Sequence, residues 1–447
     1  MGKVLALGAF MLSSVILFPV IVLLVPSNAD TMTHLVDLSL NSILSEVFNY
    51  QTIIWIICSV LFIVKLFELF SLPDKPRVHY LKASNAAIAK VAEDCQILHE
   101  TYYPPWLGGR SGHLQTVTYG LLGRVAKSLA SVRHSMTLKD GTTVTFDVFE
   151  PLVQNPFGDY TLALCPGIAN SSESAYIRTL VNYAQKAGYR CAVLNHLGAL
   201  KSAKLTSQRI FLFGGTDEYC NMILKLGQMY PETRFLCVGF SMGANIVTKY
   251  LGESPVLLDR TVCGMSICQG YDAIRARPYM HQWQSLRRLY LYVMTENVKH
   301  LLRDHYDSVV APHVKSGKVD EQALWATTSL YTLDDQYSRR IAGFSDVEDY
   351  YRWCSSSQYM DKISVPMLYL NAKDDPLIPP PLWQFVKEKA ESTPDTLFVL
   401  TKHGGHLGFL EGGLSFPPYE VTWLDRFIVN FSNSMIQTYD QKTPSSL

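Results

Sequence analysis

The 447 residues carry 39 Lys+Arg against 39 Asp+Glu, so the formal charge is zero and the pI near neutral. That balance leaves no basic footprint for nucleic acid, and the length suits one large domain with an insertion and a preceding segment. Charged residues make up 17% of the chain, below the roughly 25% usual in soluble domains, and the deficit is concentrated at the N-terminus.

Residues 1–29 form a first apolar segment. Val4 to Val25 is an uncharged run of 22 residues, long enough to cross a hydrocarbon core of roughly 30 Å as a helix. The run reads either as an extra transmembrane helix or as a signal peptide, because Ser27-Asn28-Ala29 presents small residues for cleavage before Asp30. Residues 30–52 form a linker carrying Asp30, Asp37 and Glu46. Residues 53–72 are expected to be the membrane anchor: Ile53 to Val64 is apolar, and Leu66, Phe67, Leu69 and Phe70 extend it if Lys65 and Glu68 snorkel to the interface. Lys75, Arg77 and Lys82 follow, so positive-inside bias places the downstream domain on the cytoplasmic side of the cell membrane or endoplasmic reticulum. Residues 73–131 read as a pre-domain segment.

From 132 to 437 strands and helices alternate. Arg133 to Leu138 and Thr143 to Phe149 read as a hairpin around Lys139-Asp140-Gly141. Further strands are expected at Tyr160 to Leu164, Cys191 to Leu194, Phe235 to Val238, Thr261 to Cys268, Met367 to Leu370 and Thr396 to Leu400. Helices are expected at Ala175 to Lys186, Glu218 to Met229 and Val421 to Phe431. The pattern implies a mostly parallel sheet covered by helices on both faces. The rhythm breaks over about 272–360, where Trp283, Leu286, Tyr290, Val293, Met294, Val298, Leu301 and Leu302 follow a helical stripe that either forms a lid or packs on the sheet. Residues 438–447 read as a flexible tail. The nine cysteines lie mostly inside apolar runs with no C-x-x-C, which points to reduced buried thiols and to no metal site or other cofactor. Asn170-Ser171-Ser172 and Asn430-Phe431-Ser432 match the glycosylation sequon, relevant only in a lumenal domain.

Gly239-Phe240-Ser241-Met242-Gly243 is G-x-S-x-G between an apolar strand and a helical segment. Small residues two before and two after the serine allow a sharp turn that lifts its hydroxyl clear of the sheet. A serine hydroxyl is a poor nucleophile at neutral pH. It needs an imidazole to take its proton and a carboxylate to orient that imidazole, each on a loop after a later strand. Asn371-Ala372-Lys373-Asp374-Asp375-Pro376 offers the acid, and Asp375 is preferred over Asp374 because Pro376 fixes a turn that can aim it. Thr401-Lys402-His403-Gly404-Gly405-His406 offers the base. His406 is preferred because the paired glycines allow the loop to return over the serine, leaving His403 to stabilise the loop. An oxyanion requires two backbone amides, expected from Met242 and from Ile168 in the Pro166-Gly167 turn.

Pro105-Trp106, Ser111-Gly112-His113-Leu114-Gln115-Thr116, Asn195-His196-Leu197-Gly198, Cys268-Gln269-Gly270-Tyr271, Asp374-Asp375-Pro376-Leu377 and His403-Gly404-Gly405-His406-Leu407-Gly408-Phe409, together with the elbow, resemble the membrane-anchored α/β-hydrolases of monoacylglycerol lipase type. The resemblance spans about Tyr102 to Trp423. It implies an α/β-hydrolase fold and a serine esterase acting on monoacylglycerols and small acyl esters, with Ser241, Asp375 and His406 as nucleophile, acid and base. Its partners would be a lipid ester and a membrane, with no obligate protein partner evident. The alternatives are acyl transfer through the same triad, and a non-catalytic lipid or steroid receptor on a hydrolase fold. His134 and Asp140 are six apart, so an H-x-x-x-x-D acyltransferase motif is not evident.

Overall fold

The computed structural model describes residues 50–82, 86–121, 131–200, 202–253, 255–413 and 419–442. Val4 to Val25 and everything else assigned to residues 1–49 lie outside them. Two compact units divide the chain, Met1–Leu66 and Phe67–Leu447.

Helix α1, Tyr50–Phe67, has 18 residues and so rises about 27 Å at 1.5 Å per residue. Among the described residues no helix is long and apolar enough to cross a membrane. Ile54, Trp55, Ile56 and Ile57 are nonetheless all exposed. Four successive positions sample every side of a helix, so no face of this stretch is packed away.

Nine strands of the second unit form one sheet: β1 Arg77–His79, β2 Val132–Thr137, β3 Thr143–Phe149, β4 Tyr160–Cys165, β5 Arg190–Asn195, β6 Arg234–Phe240, β7 Thr261–Ile267, β8 Met367–Ala372 and β9 Thr396–Thr401. Their order is β1-β9-β8-β7-β6-β4-β5-β3-β2. The six strands from β5 to β9 along that order pair in parallel, whereas β2, β3 and β1 join by antiparallel pairing. Strands β4, β7, β8 and β9 are buried at every position, the consequence of covering a parallel sheet on both faces. Edge strand β2 has no buried residue.

The helices of eight residues or more that follow α1 are α2 Ala87–Asp94, α3 Gly112–Leu121, α4 Ala175–Lys186, α5 Asp217–Met229, α6 Met242–Glu253, α7 Ala273–Met280, α8 Arg287–Asp304, α9 Val347–Cys354, α10 Pro380–Ser392 and α11 Trp423–Lys442. One core layer packs Ile88 of α2, Ile177 and Leu180 of α4, and Trp423 and Phe427 of α11 against Leu162, Val238 and Leu370. The opposite layer packs Met222 of α5, Ile246 and Val247 of α6, and Val386 of α10 against Ala163, Cys237 and Tyr369. Elements β1, α2 and α3, expected ahead of the domain, belong to the same compact unit as the sheet.

The insertion is helical but broken, running from α7 through α8 and several short pieces to α9. Asp272 opens it by accepting the Ile274 and Arg275 amides as an N-cap. The expected apolar stripe is buried only in part: Val298 and Leu302 lie in the core and Leu301 packs against it. Trp283, Leu286 and Val293 are exposed, whereas Arg287, Leu291, Thr295, Val298, Lys299 and Leu302 are buried. Arg287 and Lys299 can be buried because each donates to a carbonyl, of Tyr279 and Thr327, and such residues are invisible to a reading that counts only apolar side chains. All nine cysteines are free thiols.

Candidate active site

Ser241 follows β6 at once, and its φ of +52° places a non-glycine residue in the left-handed region. That conformation costs roughly 1–3 kcal/mol and is enforced from both sides. The Ser241 amide donates to the Ile267 carbonyl at the end of β7 at 2.9 Å, and its carbonyl accepts the Ala244 amide at 3.0 Å. Neither flanking glycine can carry a side chain: a Cβ on Gly239 would lie 2.3 Å from the Gly243 carbonyl oxygen, and one on Gly243 2.0 Å from that of Cys165. The spacing of small residues in the motif is thus a packing requirement of a helix pressed against the end of β4.

Ser241 Oγ lies 2.9 Å from His406 Nε2, and His406 Nδ1 lies 2.8 Å from Asp375 Oδ2. Both Asp375 and His406 are buried. The other oxygen, Asp375 Oδ1, accepts the Leu377 and Ile378 amides at 2.8 and 3.1 Å, so the turn after Pro376 holds the carboxylate in place. With that acceptor beside Nδ1, the imidazole carries its proton there and presents a lone pair at Nε2 to the serine. The three expected residues are therefore brought together from loops after β6, β8 and β9, at the carboxyl ends of parallel strands where ligands of open α/β sheets bind.

Met242 begins α6, and Ile168 lies in the turn after β4. Among the described residues neither amide has an acceptor within the chain. The turn is closely fixed: the Gly167 amide donates to Tyr176 Oη at 2.8 Å, and Asn170 Nδ2 donates to the Ile168 carbonyl at 2.9 Å while its Oδ1 accepts from Ser174 Oγ. Asn170 of the sequon is thus committed inside this loop. Asn430 of the other sequon donates to the Arg426 carbonyl within α11. His196 Nε2, 2.8 Å from the Pro166 carbonyl, ties down the start of the turn, and burial lowers its pKa to about 4, so the ring is neutral and donates.

The remaining acid and histidine do other work. Asp374 Oδ1 accepts the Gly405 amide at 2.9 Å, so it reaches the histidine loop rather than its own turn. His403 Nε2 lies 2.7 Å from Ser71 Oγ. Its pKa falls to about 4 through burial and the nearby Lys402 and Arg110. Sequence reasoning missed Thr116, whose Oγ1 accepts the His406 amide at 2.8 Å, Gln115, whose Oε1 accepts the Leu410 amide at 2.9 Å, and the turn anchors Tyr176 and His196. The Ser111–Thr116 and Asn195–Gly198 motifs were conspicuous, but nothing in a polar residue's identity tells which distant amide it meets.

Burial raises the Asp374 carboxyl to about pKa 8, with the charges of Asp375 and Glu68 adding to the rise and the Gly405 and Gly404 amides opposing it. Its native pKa lies above its unfolded one, so between about pH 4 and 8 the native state holds a proton that the unfolded state has lost. Stability then falls as pH rises through that window. Asp374→Asn keeps the acceptor for Gly405 without the charge, so its melting temperature should match the parent near pH 4 and exceed it by several degrees at pH 8. Parallel pH-melting curves would remove this account.

A family model described as the alpha/beta hydrolase fold matches residues 160–413, and the chain belongs to that family. Within it, the chain is 44% identical over 395 residues to abhydrolase domain-containing protein 2 of Drosophila melanogaster, covering 88% of this chain and 98% of that one. It is 43% identical over 360 residues to monoacylglycerol lipase ABHD2 of Mus musculus, covering 79% and 84%. The human phospholipase ABHD3 is more distant, at 26% over 385 residues, covering 83% and 87%.

Proposed function

We propose that the chain is a carboxylic ester hydrolase that cleaves monoacylglycerols and small acyl esters through an acyl-enzyme on Ser241. The observation that carries this reading is the unbroken hydrogen-bonded line Ser241 Oγ, His406, Asp375 at the carboxyl ends of the sheet. Ser241 Oγ attacks the ester carbonyl while His406 Nε2 takes its proton. Asp375 stabilises the imidazolium that forms. The Met242 and Ile168 amides receive the oxyanion, His406 returns the proton to the leaving glycerol oxygen, and water, activated by the same imidazole, frees the fatty acid. The 43% identical mouse relative, named a monoacylglycerol lipase, supports the monoacylglycerol as substrate.

The reading includes attachment to a membrane through the N-terminal region, for which the exposed apolar side chains of α1 are the support. The full chain should then stay with the membrane pellet on alkaline carbonate washing; release into the supernatant would refute attachment by insertion. Such membranes, given a monoacylglycerol, should release free fatty acid and label with a fluorophosphonate probe. Absence of both refutes the hydrolase reading, and acyl chains recovered on an added alcohol instead of water would make the protein an acyltransferase.

A further inference from the structure

We propose that Thr116 is a positioning residue for His406, and that α3, outside the strands carrying the triad, thereby completes the site. The inference rests on the reading of Ser241 and His406 as nucleophile and base. The loop that presents His406 is an unfavourable piece of backbone. Gly404 and Gly405 have φ of +149° and +55°, and the non-glycine residues Leu407 and Phe409 have φ of +67° and +41°. Its internal bonds run only from the Gly408 and Phe409 amides to the Gly404 carbonyl, both at 3.0 Å, and neither fixes the backbone of His406 itself.

That task falls to α3. Thr116 Oγ1 accepts the His406 amide at 2.8 Å and donates its own proton to the Gly112 carbonyl at 2.7 Å. The second bond points the lone pairs of the hydroxyl at the loop. The adjacent Gln115 grips the far side: Oε1 accepts the Leu410 amide at 2.9 Å, while Nε2 donates to the Gly109 carbonyl at 2.6 Å and to Tyr102 Oη at 3.2 Å. Contact between loop and helix is close enough that a Cβ on Gly405 would fall 2.5 Å from the Gly112 carbonyl oxygen and 2.8 Å from Thr116 Oγ1. A shift of the His406 backbone carries Nε2 with it and lengthens the 2.9 Å approach to Ser241 Oγ, which is where a small displacement costs most.

The test compares the full-length parent with Thr116→Val, which keeps the shape without the acceptor, and with Thr116→Ser, which keeps the acceptor. Active sites are counted by fluorophosphonate incorporation at completion, so loss of folded protein is removed from the rates. Thr116→Val should lose about 10- to 100-fold in kcat per site, with KM for a short acyl ester changed less than about threefold. Its fluorophosphonate labelling rate should fall in step. Thr116→Ser should return to within about threefold of the parent. If the valine variant does not fold, Thr116→Ala supplies the same comparison. A valine or alanine variant that melts lower yet turns over at the parental rate per site overturns the proposal and makes Thr116 a structural residue only. A parent that neither labels nor hydrolyses instead overturns the hydrolase reading, and the positioning role with it.

Discussion

Replacing Ser241 with alanine should reduce ester hydrolysis by about 10⁴-fold or more while leaving the melting temperature nearly unchanged. The size of the effect follows from what the hydroxyl does. It is the only atom removed, it lies 2.9 Å from His406 Nε2, and no other hydroxyl is bonded to that nitrogen among the described residues. The stability should survive because the exchange leaves the His406–Asp375 pair and the two Asp375–amide bonds intact. Alanine also meets the same left-handed backbone at φ +52° that serine already adopts, so no new strain enters. Fatty-acid release from a monoacylglycerol, read beside covalent fluorophosphonate labelling, measures both halves of the claim. Retention of activity within tenfold of the parent would mean that the nucleophile lies elsewhere.

The largest effect on folding is expected two residues further on. Gly243→Ala places a methyl group 2.0 Å from the Cys165 carbonyl oxygen and 2.3 Å from that of Pro166, distances that no rotamer relieves because the Cβ has none. Relief requires moving either α6 or the end of β4, and β4 is locked between β5 and β6 by parallel pairing on both sides. We expect a loss of more than about 4 kcal/mol, in the range reserved for overpacking and broken buried networks, seen as a lowered denaturant midpoint or as insoluble protein. Gly215→Ala serves as the comparison. There a Cβ would be 3.5 Å from Leu212, an ordinary contact, and the change should stay within about 1 kcal/mol. Equal midpoints for the two variants would contradict the close approach of the elbow helix to β4.

How far the sequence discloses this arrangement depends on whether a residue's role is local. Strands β4 to β9 are legible because burial on both faces turns each into a short continuous apolar run ended by turn residues. Ser241, Asp375 and His406 are legible because each follows such a run and the chemistry demands those residue types. Strand β1 is illegible: three residues show no periodicity, and its pairing partner, β9, is more than 300 residues away. Helix α3 is obscured differently. It contains Gly112, Thr116, Val117, Thr118 and Gly120, all weak helix formers, and its buried members Gly112 and Gln115 carry no apolar signal. The insertion is only partly legible, since α8 has apolar side chains on more than one face: of the expected stripe Val298 and Leu302 reach the core while Val293 does not.

The distribution of thiols has a practical consequence. Seven of the nine cysteines are buried, Cys220 is half-buried and Cys58 is exposed. Burial pushes Cys237 up to about 12 and also raises Cys165, Cys191, Cys263, Cys268 and Cys354, keeping each in the unreactive protonated form. An alkylating reagent therefore finds few handles on the native fold and many once the sheet parts from its helices. A brief maleimide pulse at increasing urea, followed by intact-mass counting of adducts, turns these side chains into an internal gauge of opening, one that needs no optical signal.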